Sequence, residues 1–309
     1  MTPVLIDTDP GIDDALALLF AWSSPEIRVE FITTVAGNVP VAAANTNLAR
    51  LLALRRPAPR PVAAPGAAGP LARALNTATR YHGEDGLGDL HDWPAAEPLK
   101  ESPGAVSVMV DAARRYGREL TLIALGPLTN MALALKENAA AMGQIGRVVA
   151  MGGAVDVPGN VTPTAEFNMN VDPEAAHRVF AAGLPLDIVP LDATRQAVLP
   201  RAGMRATLAR SPGPLAGRIQ AFSERGFRIS HADGEAGMAL HDPLAVAVAI
   251  DPSMVKWEAV RLAIGPDGET QRASGAPNCR IAKGVDRDRF IGFFLDRLCP
   301  ATPARGASS

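Results

Sequence analysis

The sequence predicts an α/β fold: a single large domain, residues 1–300, with a mostly parallel central sheet that carries helices on both faces. Short apolar runs of strand length alternate along the chain with longer segments in which apolar residues recur at helical spacing. Nothing in the composition indicates a linker between domains, and residues 301–309 are expected to form a flexible C-terminal tail. In a parallel sheet of this kind, ligands bind at the carboxyl ends of the strands.

The elements follow in chain order from these patterns. Apolar and β-branched runs predict strands at Val4–Asp7, Val29–Val35, Pro61–Ala64, Thr121–Leu125, Val148–Met151 and Leu186–Leu191. Helical spacing predicts helices at Asp13–Ser23, Val41–Arg55, Leu128–Glu137 and Glu174–Ala181. Residues 211–240 are expected to hold a helix and a mobile loop, because glycines 226, 234 and 237 interrupt the pattern.

Composition excludes several classes of protein. The 309 residues are 48% hydrophobic and 20% charged, with 30 basic against 32 acidic side chains and a net charge of −2. So balanced a chain has no general electrostatic reason to bind nucleic acid or an anionic membrane. Two cysteines predict no disulfide framework. With no leader-like or membrane-spanning apolar run, we expect a cytoplasmic protein.

The most informative segment is acidic. Asp7, Asp9, Asp13 and Asp14 fall within eight residues, where the first strand ends and the first helix begins. A helix N-terminus favours one or two carboxylates, by about 0.3–1 kcal/mol each, but four at the mouth of a sheet repel one another. A hard divalent cation with oxygen ligands resolves that conflict, so the segment predicts a metal site.

Two other interpretations of this segment were weighed. It does not match the calcium loop of an EF-hand, because the glycine stands at the fifth position of the loop and the twelfth is not glutamate. A phosphatase of the haloacid dehalogenase type also follows a strand with Asp-x-Asp. That interpretation leaves Asp13 and Asp14 unexplained, although it stays open as an alternative.

The acidic segment, read as Asp-Thr-Asp-Pro-Gly-Ile-Asp-Asp-Ala over residues 7–15, resembles the N-terminal motif of the calcium-dependent nucleoside hydrolases, the inosine–uridine-preferring N-ribohydrolases. Further matching segments follow in order over residues 3–300: Thr34–Asn38, Tyr81–Gly83, Gly126–Asn130, Met151–Gly153, Gly159–Asn160, Thr164–Asn168, Asp172–Ala176 and Leu240–Pro243. The resemblance implies a Rossmann-like nucleoside hydrolase fold and an enzyme that cleaves the N-glycosidic bond of ribonucleosides to free base and ribose.

The resemblance also implies a site. Asp9, Asp14 and Asp242, with the backbone carbonyl of Leu125, would be ligands to Ca²⁺. Asp9 would be the general base toward a calcium-bound water, and His241 the acid toward the leaving base. The ribose would be held by six residues: Asp13, Asn38, Met151, Asn160, Glu166 and Asn168.

The base pocket is less well defined by the resemblance. His82 and Phe167 are further substrate-binding candidates, and His231 is a candidate base contact in a loop where Ile229 and Asp233 differ from better-known members. We expect a pyrimidine or inosine–uridine preference over strict purine specificity, since Trp22, Trp93 and Trp257 do not match the tryptophans of purine-specific members. By resemblance alone, the protein is expected to be a homo-oligomer, either a tetramer or a dimer.

Two alternative functions remain open from the sequence. One is an N-ribohydrolase that acts on a modified or non-standard riboside through the same site. The other is a non-catalytic protein that binds calcium and ribose. Asp9 and His241 argue against the second, because a protein that only binds needs neither a general base nor a general acid.

Overall fold

A computed structural model of the protein describes residues 1–298. Its central sheet has eight strands: β1 (Thr2–Thr8), β2 (Ile27–Thr34), β3 (Val62–Ala64), β4 (Thr121–Ala124), β5 (Arg147–Met151), β6 (Leu186–Val189), β9 (Val255–Val260) and β12 (Cys279–Val285). Their spatial order is β3-β2-β1-β4-β5-β6-β12-β9. Every neighbouring pair is parallel except β12 with β9 at one edge. The predicted mostly parallel α/β fold is confirmed.

The other strands form two small antiparallel ribbons, and helices make up the remaining elements. The ribbons are β7 (Val198–Leu199) with β8 (Met238–Ala239), and β10 (Leu262–Ile264) with β11 (Thr270–Arg272). The helices are α1 (Ile12–Trp22), α2 (Val41–Arg55), α3 (Thr79–His82), α4 (Ala105–Tyr116), α5 (Thr129–Met142), α6 (Phe167–Val171), α7 (Pro173–Ala181), α8 (Leu191–Thr194), α9 (Arg201–Arg210), α10 (Pro214–Ala232), α11 (His241–Ile250) and α12 (Arg287–Leu298). Among the described residues, every helix is too short or too polar to cross a lipid bilayer.

Two hydrophobic cores lie on the two faces of the sheet. On one face α1, α10, α11 and α12 pack together around residues such as Phe20, Val246 and Phe290. On the other face α4, α5 and α7 pack against the same strands through residues such as Val108 and Met131. The strands are apolar on both sides because both sides are covered, as is usual for parallel sheets. This confirms helices on both faces.

The largest departure from the sequence-based prediction lies in residues 211–240. The α10 helix runs without a break through Gly226, and the connecting loop is confined to residues 233–237. Gly226 is buried, and a Cβ there would lie 2.7 Å from the Met238 sulfur. This glycine therefore permits close packing of the helix and does not interrupt it. The tail predicted at 301–309 lies outside the described residues.

Candidate active site

The candidate residues come together where the strand order reverses, between β1 and β4. Asp9 follows β1, Asn38 follows β2, Leu125 follows β4, and Met151 ends β5. Because these strands are parallel and adjacent, their carboxyl ends share one edge of the sheet. A cavity of about 340 Å³ opens at this edge, and its lining includes Asn38, Leu125 and Met151. Asp9 lies beneath it, fully buried.

The backbone at two glycines passes very close to the Asp9 carboxylate. Its Oδ2 accepts a hydrogen bond from the Asn38 backbone N–H at 2.6 Å, while its Oδ1 is buried without a partner. A Cβ at Gly37 would lie 2.1 Å from Oδ2, and a Cβ at Gly126 would lie 2.6 Å from Oδ1. Only glycine fits at either position. The two motifs that contribute these glycines therefore make room for one carboxylate, whose free oxygen is available to a ligand.

Asp14 is held by donors from three segments. Its Oδ1 accepts from the Thr8 hydroxyl, and its Oδ2 accepts from the Gly11 backbone N–H and the Asn38 amide, each at 2.9 Å. Asp14 lies in the first turn of α1, so its side chain also caps the N-terminus of that helix. The carboxylate is thus fixed at the end of β1.

Three buried carboxylates form the tightest acidic group among residues 1–298. Oxygens of Asp13, Asp14 and Asp242 all lie within 4.8 Å of one another. Burial, reinforced by the charge of Asp14, raises the pKa of Asp13 to about 7. Burial also raises the pKa of Asp9, with a further contribution from Asp14, and that of Asp242, with a further contribution from Asp13. The resemblance implied Asp9 as a ligand; the structure places Asp13 in the tightest group, with Asp9 next to it.

This arrangement fits a hard divalent cation. The donors are all oxygens, they are buried, and the Asp9 Oδ1 lacks any hydrogen-bond partner. Within residues 1–298, the hydrogen-bond donors to Asp9 and Asp14 are backbone N–H groups, a hydroxyl and an amide, and none of them is a basic side chain. Asp242 lies inside the first turn of α11, whose N-cap is Leu240 and which has no side-chain cap.

A second group of predicted residues lies opposite the carboxylates. Glu166 caps α6 by accepting from the backbone N–H groups of Gly153, Asn168 and Met169 at 2.9–3.1 Å. The Asn168 amide donates to the carbonyls of Leu125 at 2.7 Å and Met151 at 3.2 Å. Asn168 thus links the ends of β4 and β5, and the residue lines the cavity.

The Asn160 loop closes this side of the cavity. The Asn160 Oδ1 accepts from the Phe167 backbone N–H at 3.0 Å, and both residues line the cavity. Asn160 itself is exposed, so the loop that carries it forms part of the cavity rim.

Two histidines line the cavity, and both are held neutral. Burial lowers the pKa of His82 to about 3, with smaller contributions from His241 and Arg225. Burial lowers the pKa of His241 to about 4, with a smaller contribution from Arg195. The His82 Nδ1 accepts from the Ile12 backbone N–H at 3.0 Å, and the His241 Nδ1 lies 2.7 Å from the Thr194 hydroxyl. Each ring therefore has one nitrogen occupied and the other free.

The outer wall of the cavity is formed by α3 and the end of α10. Tyr81 lies 3.2 Å from Ser230 between their hydroxyl oxygens, and Arg80 pairs with Asp233 at the rim. All four side chains line the cavity. His231, the candidate base contact, is exposed and is not part of the lining. On a helix, adjacent residues point about 100° apart, so Ser230 and His231 cannot both face inward.

Other lining residues were not found from the sequence. Arg195 donates to the carbonyls of Pro158 and Gly159, at 2.7 and 2.9 Å, beside the loop that carries Asn160. Thr194, the partner of His241, and Ser230 were missed as well. None of the three lies in a recognisable motif, and only the tertiary structure brings them to the site. Asp7 remains outside the cavity, where it binds Thr33 and Asn130.

The fold and the site together define a class: α/β proteins of the nucleoside hydrolase type, with buried carboxylates at the switch point of a parallel sheet. The purine-preferring ribonucleoside hydrolase from Gardnerella vaginalis superposes with a TM-score of 0.90 at 29% identity, covering 96% of this chain and 98% of that one. The plant nucleoside hydrolase PpNRh1 superposes with a TM-score of 0.89 at 30% identity, covering 97% and 99%.

Sequence comparison gives the family. The profile of the inosine-uridine preferring nucleoside hydrolases matches residues 4–292. The pyrimidine-specific ribonucleoside hydrolase RihA of Shewanella sp. (strain MR-4) is 36% identical over 314 residues, covering 97% of both chains. RihA of Salmonella typhimurium (strain LT2) is also 36% identical, covering 96% of this chain and 98% of its own. The chain belongs to the inosine-uridine preferring nucleoside hydrolase family and is a ribonucleoside hydrolase.

Proposed function

We propose that the protein hydrolyses ribonucleosides with a calcium ion held by Asp9, Asp14, Asp242 and the Leu125 carbonyl, with Asp13 adjoining it. The observation that supports this most strongly is the buried, all-oxygen carboxylate group beneath the cavity. When bound, the ion supplies Lewis-acid chemistry that lowers the pKa of water and draws in the ribose hydroxyls. It would also neutralise the repulsion among the carboxylates.

The residues of the chain account for the rest of the reaction. Asp9 acts as the general base: its Oδ1 is free, while Oδ2 is held by the Asn38 N–H, so the carboxylate is oriented before the substrate arrives. The transition state of N-glycoside cleavage has oxocarbenium character, and the buried negative charge around it is favourable. His241 is assigned as the acid toward the departing base, through the nitrogen that Thr194 does not occupy. Because burial lowers its pKa, the ring must first take up a proton from solvent, and it then releases that proton readily to the base.

Ribose selection depends on hydrogen-bonding groups on both sides of the cavity, all of them buried except the exposed Asn160. Asp13 is assigned to the 2′-hydroxyl and Asn168 to the 3′-hydroxyl. Asn160, Glu166 and the Met151 backbone are assigned to the 5′-hydroxyl. Glu166 already accepts three backbone hydrogen bonds, so its orientation is set independently of substrate. A rigid acceptor of this kind favours a hydroxyl at one fixed position.

For the nucleobase we propose a pyrimidine or inosine–uridine preference. Among the described residues, no tryptophan lines the cavity, while Tyr81, His82 and Phe167 do. Sequence relatives named pyrimidine-specific support this preference, whereas a structural relative named purine-preferring shares the same fold. The fold therefore does not determine the base, and the preference rests on the outer wall. A cytoplasmic location and a homo-oligomeric state remain predictions from the sequence.

The test is release of ribose from uridine, cytidine, inosine and adenosine, with calcium and with a chelator. We expect calcium-dependent release with uridine or inosine as the best substrate. Asp9→Asn is expected to lower kcat by about 10²–10⁴-fold, the usual contribution of a general base. Tight calcium and ribose binding without release would instead support a binding protein. Cleavage of modified ribosides alone would support the alternative function, an N-ribohydrolase that acts on modified or non-standard ribosides.

A further inference from the structure

Arg225 lies on α10 behind the outer wall and does not line the cavity among the described residues. Its guanidinium donates to three consecutive backbone carbonyls of α3: Thr79 at 3.2 Å, Arg80 at 3.1 Å and Tyr81 at 3.2 Å. A fourth bond, to Asp89 at 2.9 Å, fixes the guanidinium from the opposite side. One side chain thus holds the whole backbone of a single helical turn.

That turn needs an external partner. The α3 helix has only four residues, so the carbonyls of Arg80 and Tyr81 have no donor within the helix. A planar guanidinium with five donors suits such a cluster of carbonyls, whereas an ammonium group cannot reach them in the same geometry. The loop after α3 also approaches α10 closely, since a Cβ at Gly88 would lie 3.0 Å from the Phe222 carbonyl oxygen.

The last residue of the turn is His82. Its Nδ1 accepts from the Ile12 N–H, and its backbone carbonyl accepts from the Gly88 N–H at 2.8 Å. The position of the imidazole ring therefore depends on two things: the hydrogen bond from the Ile12 N–H at the start of α1, and the position of the α3 backbone that carries the residue. Arg225 makes three of the hydrogen bonds that tie the α3 backbone to α10, so without it we expect the turn to move and the Nδ1 bond to Ile12 to weaken.

We propose that Arg225 is a positioning residue for His82: by holding the carbonyls of α3 it keeps the imidazole in place against Ile12, with its Nε2 toward the nucleobase. The proposal rests on the proposed function, in which His82 faces the base. Arg225 touches neither substrate nor metal and acts only through the turn. The exposed Arg80–Asp233 pair joins the same two elements, but water competes for it.

The chain provides a matched control in Arg218. Arg218 also lies on α10, is similarly buried, and also binds an aspartate of the loop after α3, donating to the Asp92 carboxylate at 2.8 Å and carbonyl at 2.7 Å. It makes no hydrogen bond to α3. Arg218→Gln therefore removes a comparable α10–loop contact without releasing His82.

The experiment uses the full chain with calcium and compares Arg225→Gln, Arg225→Lys and Arg218→Gln. Long-range ¹⁵N–¹H spectra of the imidazoles report which nitrogen of His82 carries the proton, and His82→Gln assigns its signals. In the parent protein His82 should be the Nε2–H tautomer. In Arg225→Gln we expect mixed tautomer signals and a kcat/KM for uridine about 10–100-fold lower, the effect of a small misplacement. Arg225→Lys should restore only part of the single-tautomer signal and only part of the kcat/KM.

Unchanged His82 signals in Arg225→Gln, or equal changes in Arg218→Gln, would overturn the proposal. If Arg225→Gln does not fold, Arg225→Lys decides: shifted His82 signals with a native melting transition support positioning, and unshifted signals refute it. If the parent protein releases ribose from no ribonucleoside, the proposed function fails. The tautomer spectra still decide the role of Arg225 in that case, because they need no substrate.

Discussion

The floor and the mouth of the cavity are built in different ways. At the floor, Asp9 and Asp14 are fully buried, and backbone N–H groups at strand ends and in the tight turn after β1 hold them. At the mouth, Arg80 and Asp233 form an ion pair whose side chains are 73% and 42% exposed. The floor is fixed by backbone groups and buried side chains at and after the strand ends, whereas the Arg80–Asp233 pair at the mouth can be reached by solvent.

The difference explains how one fold can act on several bases. Backbone donors near strand ends cannot change without changing the sheet, so we expect the proposed metal and ribose contacts at the floor to be less variable than the contacts at the mouth. Side-chain pairs between α3 and α10 can be exchanged at little cost in stability, since exposed ion pairs contribute about 0–1 kcal/mol. Relatives that share the fold but are named for different bases are consistent with this division.

The largest effect should follow from removal of a contact at the floor. If Asp13 accepts from the 2′-hydroxyl, deoxyuridine leaves a buried carboxylate unpaired, and kcat/KM should fall by about 10⁴-fold relative to uridine. Steady-state kinetics on both substrates measure the ratio. In Asp13→Ala the two substrates should become almost equally poor. Equal kcat/KM values for uridine and deoxyuridine in the parent protein would show that no residue at the floor of the cavity recognises the 2′-hydroxyl.

Calcium should stabilise the floor in a pH-dependent way. Burial raises the pKa of Asp13 to about 7, above its unfolded value near 3.8, so without calcium the folded state binds the extra proton between these pH values. Protons then compete with the ion at low pH. Calcium at a hundred times its Kd should add about 2.7 kcal/mol of stability at pH 8 and much less at pH 5. Thermal melts with calcium and with chelator test this; a pH-independent difference would contradict it.

At the mouth, a smaller and more selective effect is expected. Ser230→Ala removes one hydroxyl from the Tyr81–Ser230 pair, worth about 1 kcal/mol, so the ranking of bases should change by about tenfold or less. The ratio of uridine to deoxyuridine should not change. Ser223→Ala, a buried serine of the same helix that lies outside the cavity lining, is the control. A changed ribose ratio would show that floor and mouth are not separate.

The smallest effect should come from the exposed pair. Arg80→Ala should lower the free energy of unfolding by less than about 1 kcal/mol, because both partners are solvated. Raising the salt concentration should reduce the difference further. Chemical denaturation of both proteins at low and high salt measures it. A loss of several kcal/mol would indicate that the mouth is as rigid as the floor.

The sequence predicted the candidate site best where the site residues follow the ends of strands or lie beside glycines. The strands β1, β2, β4 and β5 agree with prediction, and their carboxyl ends share one edge of the sheet. Asp13 and Asn168 both line the cavity at this edge, while their roles toward the ribose stay predictions. His231 was chosen from the loop pattern, but helical geometry turns Ser230 inward instead. The edge strand β9 and its neighbour β12 were missed, since their half-exposed residues lack the continuous apolar run of the inner strands. The role of Arg225 could not be predicted from the sequence, because three of its four partners are backbone carbonyls.

The carboxylates that share the floor come from distant parts of the chain: Asp13 and Asp14 follow the first strand, and Asp242 lies in the first turn of the eleventh helix. An ion bound among them would close a loop that contains most of the polypeptide. The entropic cost of closing so long a loop is offset only once the sheet has formed. During synthesis, a nascent chain that has not yet emerged past α11 lacks one wall of the ion pocket. A fragment that ends before α11 would lack Asp242, one of the proposed ligands, so we expect it to bind the ion more weakly than the full chain.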